Sequence, residues 1–155
     1  MILSIMNLTT KETELLKDLK SQEQLCIDQY TKYASEAKSE KLGQLFTSLA
    51  DTEREHLKTL NDIMAGSIPS VGCSISGNNQ YCEPYSYKSE EDKKADALLL
   101  KNMLSMEKHV SSVYNTSVFE FKNPQLRKAL NHIQSEEQQH GERIYAYMEC
   151  NAMYN

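Results

Sequence analysis

The chain sets a glutamate and a histidine three residues apart in two places, "TEREHL" at 52–57 and "EEQQHG" at 136–141. Both pairs interrupt a helical seam where apolar side chains are expected. The offset between them, 84 residues, also aligns "SQEQLCIDQY" with "SMEKHVSSVY" and "LADTEREHLKTL" with "IQSEEQQHGERI". Glu23 pairs with Glu107, Tyr30 with Tyr114, Glu53 with Glu137 and His56 with His140. A repeat kept for packing alone would preserve only the hydrophobic class of each position. Here the polar residues repeat more faithfully than the apolar ones, so the two halves must bring their charged groups to a common place.

The pattern predicts four long helices. The first runs over about 9–38 from a capping box, Thr9 with Glu12, and the second over about 40–65, capped by Ser39 and stopped by Gly66. Ser89 and the acidic residues after it open a third over about 90–121, and Asn123–Pro124 opens a fourth over about 124–150. Residues 66–88 are rich in Gly, Ser, Asn and Pro and lack periodicity, which marks a loop. Short connections make helices 1 and 2, and 3 and 4, antiparallel hairpins. A helix of this length spans about 42 Å at a rise of ~1.5 Å per residue, and the loop, at ~3.3 Å per residue, is long enough to run the whole bundle. The expected fold is an all-α, antiparallel four-helix bundle of two hairpins joined by a long crossover, the ferritin-like topology, as one domain over 1–155.

The inward seams are Leu16, Leu19, Glu23, Cys26 or Ile27, Tyr30; Leu42, Leu45 or Phe46, Leu49, Glu53, His56, Leu60; Leu100, Met103, Glu107, Val110, Tyr114; and Leu126, Leu130, Ile133, Glu137, His140, Ile144. Residues of an antiparallel hairpin lie level when they are equidistant from its turn. The midpoint of Glu23 and Glu53 is Lys38, and that of Glu107 and Glu137 is Lys122, both at the expected turns. Packing the hairpins therefore brings six ionisable groups to one layer. Four buried carboxylates would repel, and desolvation would force most of them to protonate. Two divalent cations balance the four charges, with neutral imidazoles completing the ligands. The candidate metal ligands are Glu23, Glu53, His56, Glu107, Glu137 and His140.

Composition narrows the alternatives. The net charge of −5 over 155 residues and a pI near 5.4 argue against nucleic-acid and anionic-membrane partners. No stretch approaches the ~18 apolar residues of a membrane span, and "MILSIMNLTT" lacks the basic and apolar regions of a secretory signal. Cytoplasmic synthesis is expected. Cys26, Cys73, Cys82 and Cys150 form no C-x-x-C pair, which excludes a zinc knuckle or rubredoxin-type iron site. Cys73 and Cys82 are the pair placed to oxidise, a reaction that a cytosolic compartment disfavours.

With its inward Glu and Glu-x-x-His residues, the chain resembles the ferritin-like di-iron carboxylate superfamily, specifically the symmetric centres of bacterioferritins and erythrin-type proteins. The resemblance implies that Glu53 and Glu137 bridge two metals, that Glu23 with His56 completes one and that Glu107 with His140 completes the other. It also implies that Tyr30 and Tyr114 orient carboxylates, the alternative being ordinary core tyrosines. Cys26, facing the same layer, is either a redox-active thiol beside the ligands or a small apolar filler. The metals would be iron, with manganese or zinc compatible, and the chemistry a reaction with hydrogen peroxide or dioxygen of peroxidase, ferroxidase or catalase type.

The second hairpin, "MLSMEKHVSSVYNTSVFEFKNPQLRKALNHIQSEEQQHGERIYAYM", is similar to the coat F domain of spore coat proteins, and the likeness extends less sharply over the whole chain. It implies deposition in the spore coat among other coat proteins, with a homodimer permitted. It also opens a second reading, a structural coat protein whose metal site is only stabilising or vestigial and whose loop residues Cys73, Tyr81, Cys82, Tyr85 and Tyr87 serve cross-linking. Helix 4 ends close to the terminus, so the fifth helix of a storage cage is not expected, and the extra glutamate of rubrerythrins corresponds here to Val110.

Overall fold

The computed structural model describes residues 7–70 and 82–154. It contains α1 (Thr10–Glu36), α2 (Glu40–Met64), α3 (Glu90–Val118) and α4 (Pro124–Cys150), and no strand among the described residues. Each start has a local cause. Thr9 and Glu12 close a reciprocal capping box on α1. Ser39 and Ser89 accept from the amides of Leu42 and Asp92, and Asn123 accepts from that of Gln125. Glu90, Glu91 and Asp92 add negative charge at the positive end of the α3 dipole. α2 ends as Gly66 adopts φ 93°, a conformation only glycine takes without strain. α3 stops at Val118, short of the predicted end, yet Phe121 still turns back into the core beyond the break.

The helices pack around a square in which α1 touches α2 and α3, and α4 touches α2 and α3. Gly43 lets α1 and α2 approach closely; a Cβ there would lie 3.2 Å from the Ala34 carbonyl oxygen. Side-chain bonds fix the direction of the remaining pairs. Tyr30 reaches Glu107 while Tyr114 reaches Glu23, so α1 and α3 are antiparallel, and His56 with Glu137 and His140 with Glu53 show the same for α2 and α4. The crossover must then carry the chain from one end of the bundle to the other. Apolar layers lie on both sides of the middle: Leu16, Leu19, Leu60, Ile63, Leu130 and Ile133 towards one end, and Phe46, Leu49, Leu100, Met103 and Ile144 towards the other.

The returning crossover is fastened to the second end. Buried Asp96 of α3 accepts from the amides of Lys38 (2.7 Å) and Ser39 (3.0 Å) in the α1–α2 turn and from the Tyr87 hydroxyl (2.8 Å). Tyr87 also meets the Tyr147 hydroxyl at 2.8 Å, and Asn151 accepts from the Tyr85 amide. Cys82 is joined to Cys150 by a disulfide, with Cα atoms 6.1 Å apart. This corrects the expectation that Cys82 stays reduced or takes Cys73 as partner. The crossover arrives where α4 ends, so residues 68 apart in sequence become neighbours; Cys73 and Tyr81 lie outside the described residues. It also removes Cys82 from the residues available for cross-linking, and Tyr87 is engaged inside the fastening.

Candidate metal centre

All six ionisable residues of the central layer are buried, none more than 3 % exposed. One glutamate comes from α1, one from α3, and a Glu-x-x-His pair comes from each of α2 and α4. Ligand atoms of Glu23, Glu53, His56 and Glu137 lie within 4.8 Å of one another, as do those of Glu53, Glu107, Glu137 and His140. Each group can hold a metal ion, and Glu53 and Glu137 belong to both. The imidazoles stack with centroids 5.8 Å apart and turn their Nδ1 atoms into the carboxylates. His56 Nδ1 lies 3.0 Å from Glu53, 3.1 Å from Glu137 and 3.6 Å from Glu23. His140 Nδ1 lies 3.0 Å from Glu53, 3.3 Å from Glu107 and 3.5 Å from Glu137. The near-identical sets express the sequence repeat as a pseudo-twofold axis through the layer.

The tyrosines of the repeat cross this axis. The Tyr30 hydroxyl donates to Oε1 of Glu107 and the Tyr114 hydroxyl to Oε1 of Glu23, so each lone glutamate is held by the opposite hairpin. Cys26 is fully buried beside the layer, where burial and then the charges of Glu53 and Glu107 push its thiol far up and keep it neutral.

Burial and hydrogen bonding pull the titrating groups of the layer in opposite directions. Burial, then Glu23, pushes Glu53 up to about 7, and burial, then Glu107, raises Glu137 as well. Burial also opposes ionisation of Glu107 and Glu23, but hydrogen bonds outweigh it. Those from Glu137, His140 and Tyr30 hold Glu107 at about 2, and those from Glu53, His56 and Tyr114 lower Glu23. Burial disfavours charged histidine, yet Glu136, Glu137 and their neighbours raise His56, and Glu107 with Glu137 and Glu53 raises His140. In the protein alone, the two imidazoles and the two shared glutamates are thus shifted towards their protonated forms, and the two lone glutamates towards ionisation. Satisfaction is still incomplete: Oε2 of Glu23, Glu107 and Glu137, and Nε2 of His56, have no hydrogen-bond partner.

One contact has no counterpart in the sequence reading. Oε1 of Glu136 lies 3.6 Å from His56 Nε2 and 2.7 Å from His132 Nε2. The positions equivalent to His132 and Glu136 in the first half are Ser48 and Thr52, so the repeat does not carry this pair.

Residues 95–155 match the family model of the Coat F domain. No curated protein and no solved structure matches the chain. The Coat F match takes in most of α3 and all of α4, hence Glu107, Tyr114, Glu137 and His140. Glu23, Glu53 and His56 lie outside it, so the layer is divided between the Coat F segment and the hairpin that precedes it.

Proposed function

We propose that both hairpins form one ferritin-like unit that binds two divalent metal ions and serves in the spore coat, with iron as the metal and peroxide or dioxygen as the reactant. The carrying observation is the pair of buried Glu/His groups that share Glu53 and Glu137 while leaving carboxylate oxygens unpartnered. Buried charges are ordinarily paired or bound to metal. Orphaned Oε2 atoms on three glutamates are what a ligand set aimed at cations requires. On this reading Glu53 and Glu137 would serve both ions, Glu23 and His56 would help to hold one, and Glu107 and His140 the other. Tyr30 and Tyr114 each occupy one oxygen of a lone glutamate and leave the second without a hydrogen-bond partner, where it would be available to a cation. The apolar layers on either side restrict water. Iron at the two positions would supply the two electrons needed to reduce hydrogen peroxide or dioxygen; the nitrogen and oxygen ligands also suit manganese and zinc.

The Coat F match supports a place in the coat beside other coat proteins. In addition, no helix among the described residues is long and apolar enough to cross a membrane. The test is metal analysis of protein purified without affinity resin, with the expectation of two ions per chain. Fewer than one ion, together with thermal stability unchanged by chelation, sinks the reading.

A second reading is favoured by the Coat F match and by the covalent fastening at Cys82–Cys150: a structural coat component whose metal only stabilises it. Substituting Glu53→Gln with Glu137→Gln separates the two. Spores that assemble and resist peroxide normally, while the purified variant has lost its metal, favour the structural role.

A further inference from the structure

The duplication is close to symmetric in the six inward residues and unsymmetric one step behind them. Behind His56 stands Glu136, half-buried on α4, its carboxylate 3.6 Å from the buried and unpartnered His56 Nε2. His132, one turn earlier on the same helix, grips that carboxylate at 2.7 Å. By the register that sets Glu136 beside His56, the residue facing His140 from α2 is Thr52, whose hydroxyl donates to the Ser48 carbonyl at 3.4 Å. Thr52 carries no charge, and Ser48, at the place of His132, accepts from the Arg143 guanidinium at 3.3 Å.

This difference matters because of which nitrogen faces the layer. Both histidines present Nδ1 to the glutamates, so a metal bound there leaves the ring proton on Nε2. An anionic acceptor for that proton fixes the ring and makes Nδ1 a stronger donor. Carboxylates in this position change metal affinity by about 10–100-fold. His56 has one 3.6 Å from its Nε2; His140 has a threonine in the corresponding place.

We propose that the two metal positions are unequal and fill in order, the Glu23–His56 position first, with Glu136 as its positioning residue and His132 as the clamp on Glu136. This rests on the metal-binding reading above. Order of filling is a property of this chain's broken repeat, and it gives the two ions separate roles: one resident, the other exchangeable.

The experiment is titration of the metal-free full chain with cobalt(II), followed by calorimetry and by visible ligand-field absorption. The wild type should show two one-ion steps separated by about tenfold or more in affinity. Glu23→Gln should remove the tighter step and Glu107→Gln the weaker. Glu136→Gln should shift the affinity and spectrum of the first step towards those of the second and leave the second unaltered, whereas Glu136→Asp should restore part of the separation. Should Glu136→Gln fail to fold, as judged by its melting curve, His132→Gln leaves Glu136 in place and should narrow the gap. A wild type that takes both ions in one unresolved step overturns the inference but not the metal centre, and so does a Glu136→Gln protein in which both steps weaken equally. A chain that binds no cobalt overturns both.

Discussion

Asp96 and the four inward glutamates are buried to nearly the same degree, but their surroundings differ in kind. Asp96 has both oxygens occupied by protein donors, two backbone amides and a tyrosine hydroxyl. The central glutamates face one another and two imidazoles, and three of them still keep an oxygen without a partner. The first arrangement is complete as protein. A buried carboxylate of that kind joins chain segments, here the α1–α2 turn, α3 and the crossover. A layer that cannot satisfy itself is arranged for something else, and its stability should depend on what is bound.

The largest effect expected from this contrast is that of metal. An ion present at a thousandfold excess over its dissociation constant stabilises the fold by about 4 kcal/mol. For a chain of this size that is roughly 10 °C in melting temperature. The increment should vanish in the Glu53→Gln, Glu137→Gln protein and persist in Asp96 variants. Calorimetry of loaded and chelated samples checks it, and equal melting temperatures would break the comparison.

Next comes Asp96→Ala, which leaves the buried Ser39 amide and the part-buried Lys38 amide and Tyr87 hydroxyl without their acceptor. A loss of about 3 kcal/mol is expected, since each unsatisfied buried donor costs roughly 1–3 kcal/mol. Denaturant unfolding should give the same loss with and without metal. A loss that appears only in the loaded protein would mean the two regions are coupled.

The pH dependence should be smaller and of opposite sign in the two forms. In the protein alone, Glu53, Glu137, His56 and His140 all titrate above their ordinary values. Their contribution is fully present below the unfolded values, ~4.3 for Glu and ~6.5 for His, and is lost as pH rises through about 7 and beyond. Glu23 and Glu107 act oppositely; their contribution holds above ~4.3 and is lost only as pH falls, for Glu107 through about 2. Metal-free protein should therefore be most stable in mild acid and melt at a lower temperature at pH 8 than at pH 5. The stabilisation added by metal should run the other way and shrink on acidification, because protons compete for all six ligands. Melting curves of both forms across this range should converge in acid, and parallel curves would count against the six-ligand layer.

The smallest effects are those of single hydroxyls. Tyr30→Phe and Tyr114→Phe should each cost about 1 kcal/mol, and nearly the same amount, because they hold symmetric glutamates. A large inequality, measured by denaturant unfolding, would show that the pseudo-twofold axis is less faithful than the distances suggest.

These two regions also differ in how far the sequence discloses them. The central layer was legible because its residues recur at a fixed offset and break helical seams, and because the hairpin midpoints set their heights. Asp96 was not. It follows the charged run "EEDKK" at the start of α3 and looks like one more solvated residue; its burial arises only when the α1–α2 turn closes over it. The same holds for Cys82 and Cys150, whose meeting depends on the path of the crossover. Glu136 lay between: it adjoins a recognised glutamate, but neither the seam nor the repeat singles it out. Local periodicity exposes what a helix directs inward, whereas contacts made by loops and helix ends depend on how the elements dock.

The Cys82–Cys150 bond turns the second half of the molecule into a ring. All of α3 and α4 lies inside the closed segment, while α1 and α2 hang from it as an open arm. At the far side of the ring the α3–α4 turn presents Phe119, 81 % exposed. A protease that cuts there opens the ring without parting the chain: both fragments stay linked through the sulfur bridge and migrate as one species until a reductant is added. Such a molecule stays covalently continuous after a break that would divide an ordinary helical hairpin in two.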